Sequence, residues 1–122
     1  MAKGELRHLT IAERRALRAF IAALRKQYSS QVVDVRLFGS KARGEGGPES
    51  DLDLLVVVAG DERQMGADIA RLGSRIDLKY GVVLSDITMS VERFEWHRRH
   101  QAPLYKNLMR EGIELWTRTP AP

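Results

Sequence analysis

No cysteine occurs in the 122 residues, which excludes a disulfide framework, thiolate catalysis and Cys-ligated zinc, and fits a reducing compartment. No apolar run approaches the ~18 to 20 residues of a membrane span. The opening stretch MAKGELRHLT also lacks the apolar segment of a signal peptide, so a cytoplasmic location without a membrane partner is the expectation. Aromatic residues make up only 7% of the chain, and Trp96, Tyr105 and Trp116 are expected in core or interface positions rather than as base-stacking platforms. What is present, 43% apolar and 30% charged residues, suits one globular domain over residues 1–122. A chain of this length buries roughly two-thirds of its unfolded surface, enough for a core without a staple. The net charge of +4 permits attraction to phosphates or to an acidic protein. The basic residues are segregated into Arg14, Arg15, Arg18, Arg25 and Lys26 near one end and Arg93, Arg98, Arg99, Lys106 and Arg110 near the other. Both groups read first as solvated helix faces.

Thr10 and Glu13 have the spacing of a capping box, and Leu17, Phe20, Ile21, Leu24 and Tyr28 follow at helical intervals, predicting an amphipathic helix over residues 11–28. Val32 to Phe38 reads as a strand cut off by Gly39-Ser40, and Gly44 to Ser50 reads as a loop. Asp51 to Val58, DLDLLVVV, is a strand whose apolar second half suits an interior position covered by helices. Met65, Ile69, Leu72 and Ile76 predict a helix over residues 62–79, despite Gly66 and Gly73 at about 1 kcal/mol each. Gly81 reads as its C-cap. Val82 to Met89 returns to strand, Ser90 caps a short helix through Arg98, Pro103 starts another that ends at Gly112, and Ile113 to Trp116 forms a last strand. The expected fold is α/β (α+β), with helices packed on a mixed four-stranded sheet. Residues 1–9 and 117–122 are expected to be flexible ends.

The chemistry concentrates in LFGSKARGEGGPESDLDLLVVV, residues 37–58. Alternation along a strand points Asp51 and Asp53 to the same side, roughly 6 to 7 Å apart along the chain. Two carboxylates in one small volume repel unless cations sit between them. Mg²⁺ suits them, because it accepts one or two carboxylates and fills its other positions with water and substrate phosphates, and a pair of such ions activates an attacking oxygen and stabilises a leaving one. A strand turning through Gly39 into a short helix exposes backbone N–H groups to a phosphate, with the Ser40 hydroxyl as a further donor and Lys41 and Arg43 as added charge. Ser50, just before the aspartates, joins the candidate phosphate-binding set. The loop is not a Walker A motif, which needs G-x-x-x-x-G-K. His97 and His100, in HRRH, stand among basic residues that disfavour a cation and read as part of an exposed helix.

GSKARG followed by SDLDLLV resembles the minimal nucleotidyltransferases of the DNA polymerase beta superfamily, whose pattern is an apolar residue, Gly-Ser, a variable loop, and two aspartates alternating with apolar residues. PLYKNLMREGIELW also looks like the C-terminal helix and strand of those proteins. The resemblance implies that Gly39 and Ser40 hold a nucleoside triphosphate, that Asp51 and Asp53 bind two Mg²⁺ ions, and that a hydroxyl attacks the α-phosphate of ATP. The family usually adds a third acid on a later strand as a metal ligand and catalytic group. Asp86 is the candidate here, with Asp77 as its rival and the lack of any third acid as the remaining alternative.

The resemblance further implies a protein acceptor: small members are commonly antitoxins paired with a HEPN ribonuclease, on which they adenylylate a tyrosine. The leading expectation is therefore a Mg²⁺-dependent protein adenylyltransferase with a HEPN-type partner, as a homo- or hetero-oligomer. Alternatives are a module that neutralises its partner by occlusion, and an enzyme modifying nucleic-acid ends. The last draws on the basic excess alone, and a nucleic-acid partner is not the expectation.

Overall fold

The computed structural model describes residues 6, 8–47 and 50–117. The element order is α1 (Ile11–Tyr28), β1 (Val32–Phe38), α2 (Gly39–Arg43), β2 (Leu52–Val58), α3 (Glu62–Tyr80), β3 (Leu84–Ser90), α4 (Val91–Arg99), α5 (Pro103–Glu111) and β4 (Ile113–Thr117). The strands form one mixed sheet in the order β3-β2-β1-β4. β1 runs antiparallel to both β2 and β4, while β2 and β3 are parallel across the α3 crossover. No helix among the described residues is long and apolar enough to cross a membrane.

Local signals act as the sequence predicts. Thr10 and Glu13 form the reciprocal capping box of α1, Ser90 caps α4, and Pro103 opens α5; Asp61, which the sequence reading did not single out, caps α3. Gly81 ends α3 in a left-handed conformation. Two starts differ. β2 begins at Leu52, leaving Asp51 just outside it, and β3 begins at Leu84 rather than Val82, where the Leu84 amide donates to the Asp77 carboxylate at 2.9 Å.

The sheet is covered on both faces. On one, α1 and α3 bring Leu17, Phe20, Leu24, Ile69 and Leu72 against Val35, Leu37, Leu54 and Val56. On the other, Leu108 of α5 and Phe94 of α4 pack with Leu55, Val57 and Met89. Double coverage explains why β2 is buried at every position except Asp53. Leu9 is buried and Leu6 packs beside it, so these two residues depart from the expectation of a flexible N-terminus. Thr117 is likewise fixed, its hydroxyl donating to Asp34 Oδ1 at 3.0 Å. The remaining expected flexible ends, residues 1–5, 7 and 118–122, lie outside the described residues, as do 48 and 49 of the expected loop.

The two mid-helix glycines of α3 have different reasons to be there. A Cβ on Gly66 would meet Thr88 Cβ at 3.5 Å, an ordinary contact, whereas a Cβ on Gly73 would stand 2.7 Å from Asp86 Oδ2. Gly66→Ala is therefore expected to stabilise the protein by about 0.5 to 1 kcal/mol through helix propensity, and Gly73→Ala to destabilise it. Urea unfolding of the two variants checks this, and equal shifts in the same direction would contradict it.

Candidate active site

Phe38 pairs with Asp53 across β1 and β2, so the chain that leaves β1 turns directly beside the second aspartate. Gly39 makes that turn at φ +75°, in the left-handed region. The space is also closed: a Cβ at Gly39 would lie inside the van der Waals surface of the Asp53 carboxylate, 3.1 Å from its Cγ. Glycine is thus required twice over, by backbone conformation and by the approach of the turn to the acid.

The loop after α2 folds back over the same place. The Glu45 and Gly46 amides donate to the Ser40 carbonyl at 3.0 and 3.3 Å. A Cβ on Gly46 would stand 2.9 Å from Ser40 Oγ and 3.0 Å from Ser50 Cβ. Ser40, Gly46 and Ser50 therefore meet, and the chain runs on into Asp51 and Asp53. The structure brings Gly39, Ser40, Ser50, Asp51 and Asp53 to one end of the sheet.

The electrostatics there are unfavourable to anions left alone. Burial in the sheet pushes the Asp53 carboxyl above the ordinary aspartate range, the charge of Asp51 pushes it further, and Arg43 pulls it back. Asp51 is exposed and Asp53 half-buried. Arg43 is held in place by Glu45 at 2.8 Å and by Glu111 of α5 at 2.9 Å, and these bonds raise its own pKa. A pair of carboxylates, one of them partly desolvated, fits a divalent cation whose other ligands are water and phosphate oxygens. Asp51 and Asp53 are the residues that would hold it. Among the described residues no group of three or more acids and histidines is placed to bind a metal.

Two residues expected at this site are elsewhere. Asp86 stands level with Leu54 in the β2–β3 register, whereas Ser85 stands level with Asp53. Alternation therefore sends Asp86 to the opposite face of the sheet. There it lies against Gly73 of α3, with burial, then the neighbouring Asp77, raising its carboxyl pKa against the opposing effect of its own backbone amide. Asp77 lies on the same side and accepts from the Leu84 amide, so neither candidate for a third acid joins Asp51 and Asp53.

Lys41 is the second correction. It is turned inward and buried, its ammonium 2.6 Å from Glu13 Oε2, with the two side chains 5% and 7% exposed. Glu13 Oε1 meanwhile accepts from the Thr10 amide at 2.8 Å. Burial works against the Glu13 charge, but the hydrogen bonds from Lys41 and Thr10 outweigh it and hold the carboxyl below its ordinary range. Lys41 therefore anchors α2 to α1 and does not face a phosphate. His97 and His100 each use Nδ1 on the backbone carbonyl one turn earlier, at 2.8 Å from Arg93 O and Trp96 O. Trp96 is 48% exposed and stacks on His100, so of the two expected positions it does not take the core one.

Sequence reading missed Glu13 and Glu111 as partners of this site. Glu13 carried a capping signal that fully accounted for it, and nothing in the spacing linked it to Lys41. Replacing Lys41 by Met leaves a buried carboxylate unpaired and is expected to cost about 3 to 5 kcal/mol. Adding Glu13→Gln, which keeps an oxygen for the cap, is expected to recover most of the loss. Denaturant midpoints decide this; a cost under about 1 kcal/mol, as for an exposed pair, would contradict the buried anchor.

Comparison with known proteins accords with the geometry. Residues 17–113 match the nucleotidyltransferase domain family. A Methanocaldococcus jannaschii protein, MJ0604, provisionally named a protein adenylyltransferase, is 34% identical over 104 residues, covering 85% of this chain and 98% of its own. A solved structure provisionally described as a minimal nucleotidyltransferase superposes with a TM-score of 0.57 at 32% identity, covering 88% of this chain and 98% of that one. A toxin-antitoxin structure with AMP-PNP reaches the same TM-score of 0.57 at 20% identity, covering 84% of this chain and 74% of that one, and shares the fold. With its family match over residues 17–113 and a relative 34% identical over 104 residues, the chain belongs to the nucleotidyltransferase domain family.

Proposed function

We propose that this chain transfers AMP from ATP to a hydroxyl of a partner protein, a tyrosine on a HEPN-type toxin, and so acts as an antitoxin. One observation carries the reading: Asp51 and Asp53 meet the Gly39-Ser40 turn at one end of the sheet, where burial and the Asp51 charge both raise the Asp53 carboxyl pKa. The M. jannaschii relative named for protein adenylylation and the toxin-antitoxin neighbour holding AMP-PNP support the donor and acceptor classes.

Gly39 and Ser40 receive the triphosphate, the glycine by bringing bare backbone close and the serine by donating from its hydroxyl. Ser50 and Gly46 close the loop over it, and Arg43, steadied by Glu45 and Glu111, sets positive charge beside Asp53. Mg²⁺, when held by Asp51 and Asp53, supplies neutralising charge for the phosphates and lowers the pKa of the attacking hydroxyl. The acceptor oxygen forms its bond to the α-phosphorus, the bond from that phosphorus to the oxygen bridging the α- and β-phosphates breaks, pyrophosphate leaves, and the hydroxyl proton passes to solvent. The chain's contribution is orientation and charge placement.

A second reading, neutralisation of the partner by occlusion, draws on the position of Asp86, which leaves the aspartate pair without a third acid. One experiment separates the two. With α-labelled ATP, Mg²⁺ and a HEPN-type partner, the wild type is expected to label the partner, and Asp51→Asn with Asp53→Asn to abolish labelling. Gly39→Ala, which forces the turn away from Asp53, is expected to slow labelling on the order of a hundredfold. Labelling that survives the double substitution would refute the assignment, and a partner still neutralised by an unlabelling double variant would establish occlusion.

A further inference from the structure

Away from the nucleotide site, the outer surface of α1 forms a groove of about 320 Å³ with the edge strand β4. Leu17, Ile21 and Leu115 make its apolar floor, and Arg14, Arg18 and Arg25 make its rim. Among the described residues no acidic side chain lines it. Arg14 and Arg18 have no acidic partner among the described residues, and the Arg25 guanidinium lies 5.7 Å from the centre of the Trp116 ring, held beside β4. The basic positions fall at i, i+4 and i+11, so they mark one stripe along the helix. At 1.5 Å per residue this stripe is about 16 Å long, some three turns.

We infer that this groove docks an amphipathic helix of a partner protein, with an apolar stripe on the floor and acidic residues against Arg14, Arg18 and Arg25. Charge complementarity selects this occupant. An uninterrupted basic rim repels a basic helix and leaves a neutral one without pairs for its ends. The apolar floor offers nothing to a phosphate backbone, and among the described residues no aromatic ring lines the groove for a base to stack on. The arginines also repeat with the turn of α1, which suits a helix laid along it rather than a strand added to the β4 edge. The inference is independent of the nucleotide chemistry, because none of these residues belongs to the aspartate and glycine site.

The test uses the full chain and two synthetic 18-residue helical peptides that share one leucine stripe. One flanks the stripe with glutamates, the other with lysines. Fluorescence anisotropy at 0.15 M salt is expected to show the glutamate peptide binding at least tenfold more tightly. R14E/R18E/R25E is expected to reverse the order, a gain that an unfolded variant cannot produce. R14K/R18K/R25K is expected to keep the original preference. If the triple reversal does not fold, Arg18→Glu alone is expected to narrow the preference at least threefold. Equal binding of the two peptides, or a preference unchanged by the reversals, would overturn the proposal. So would a single-stranded RNA 20-mer binding more tightly than the glutamate peptide. Binding that emerges only after residues 1–5 are removed would also overturn it, because the chain's own N-terminus would then be the occupant.

Discussion

The carboxylate of Asp53, pressed against the backbone of Gly39, is the contact on which this molecule's organisation turns. β2 is otherwise apolar and buried, so burial raises the Asp53 carboxyl pKa, and the acid has no hydrogen-bonding use among the leucines and valines around it. Placing a second aspartate two residues earlier aggravates the repulsion. Arg43 supplies part of the opposing positive charge, and on the proposed function a cation with a polyanion would supply the rest.

The surrounding structure holds that contact in register. β1 and β2 pair so that Phe38 lies level with Asp53, and the turn at Gly39 follows with no residue to spare. α2, only five residues long, is too short to hold itself in place. Lys41 fastens it from below to Glu13 of α1, and Arg43 fastens it from the side to Glu111 of α5. Basic residues in the GSKAR segment thus divide between anchoring and charge placement. The Glu13 oxygen that does not face Lys41 accepts from the Thr10 amide, so both oxygens of the buried carboxylate have partners.

Much of this was legible in the chain. The periodicities of α1 and α3, the caps at Thr10, Ser90 and Gly81, and the Gly-Ser turn before two alternating aspartates are local signals, each set by a few neighbouring residues. The placement of Lys41 and Asp86 was not legible, because it depends on partners far away in sequence. Lys41 looks like a phosphate ligand until α1 packs over it and offers Glu13. Asp86 looks like a third acid until the parallel register with β2 is fixed, and a shift of one residue exchanges it with Ser85. Gly73 was visible as an unfavourable helix residue, and only the contact with Asp86 explains it.

On the proposed function, Asp53 is a partly desolvated carboxylate whose charge a divalent ion would stabilise. Carbon-13 NMR titration of its side-chain carboxyl tests this directly. Without Mg²⁺ its pKa should lie above that of an unhindered aspartate, and it should fall when Mg²⁺ is added, with the Asp53 resonance moving together with that of Asp51. An ordinary aspartate titration that Mg²⁺ leaves unchanged would contradict the claim.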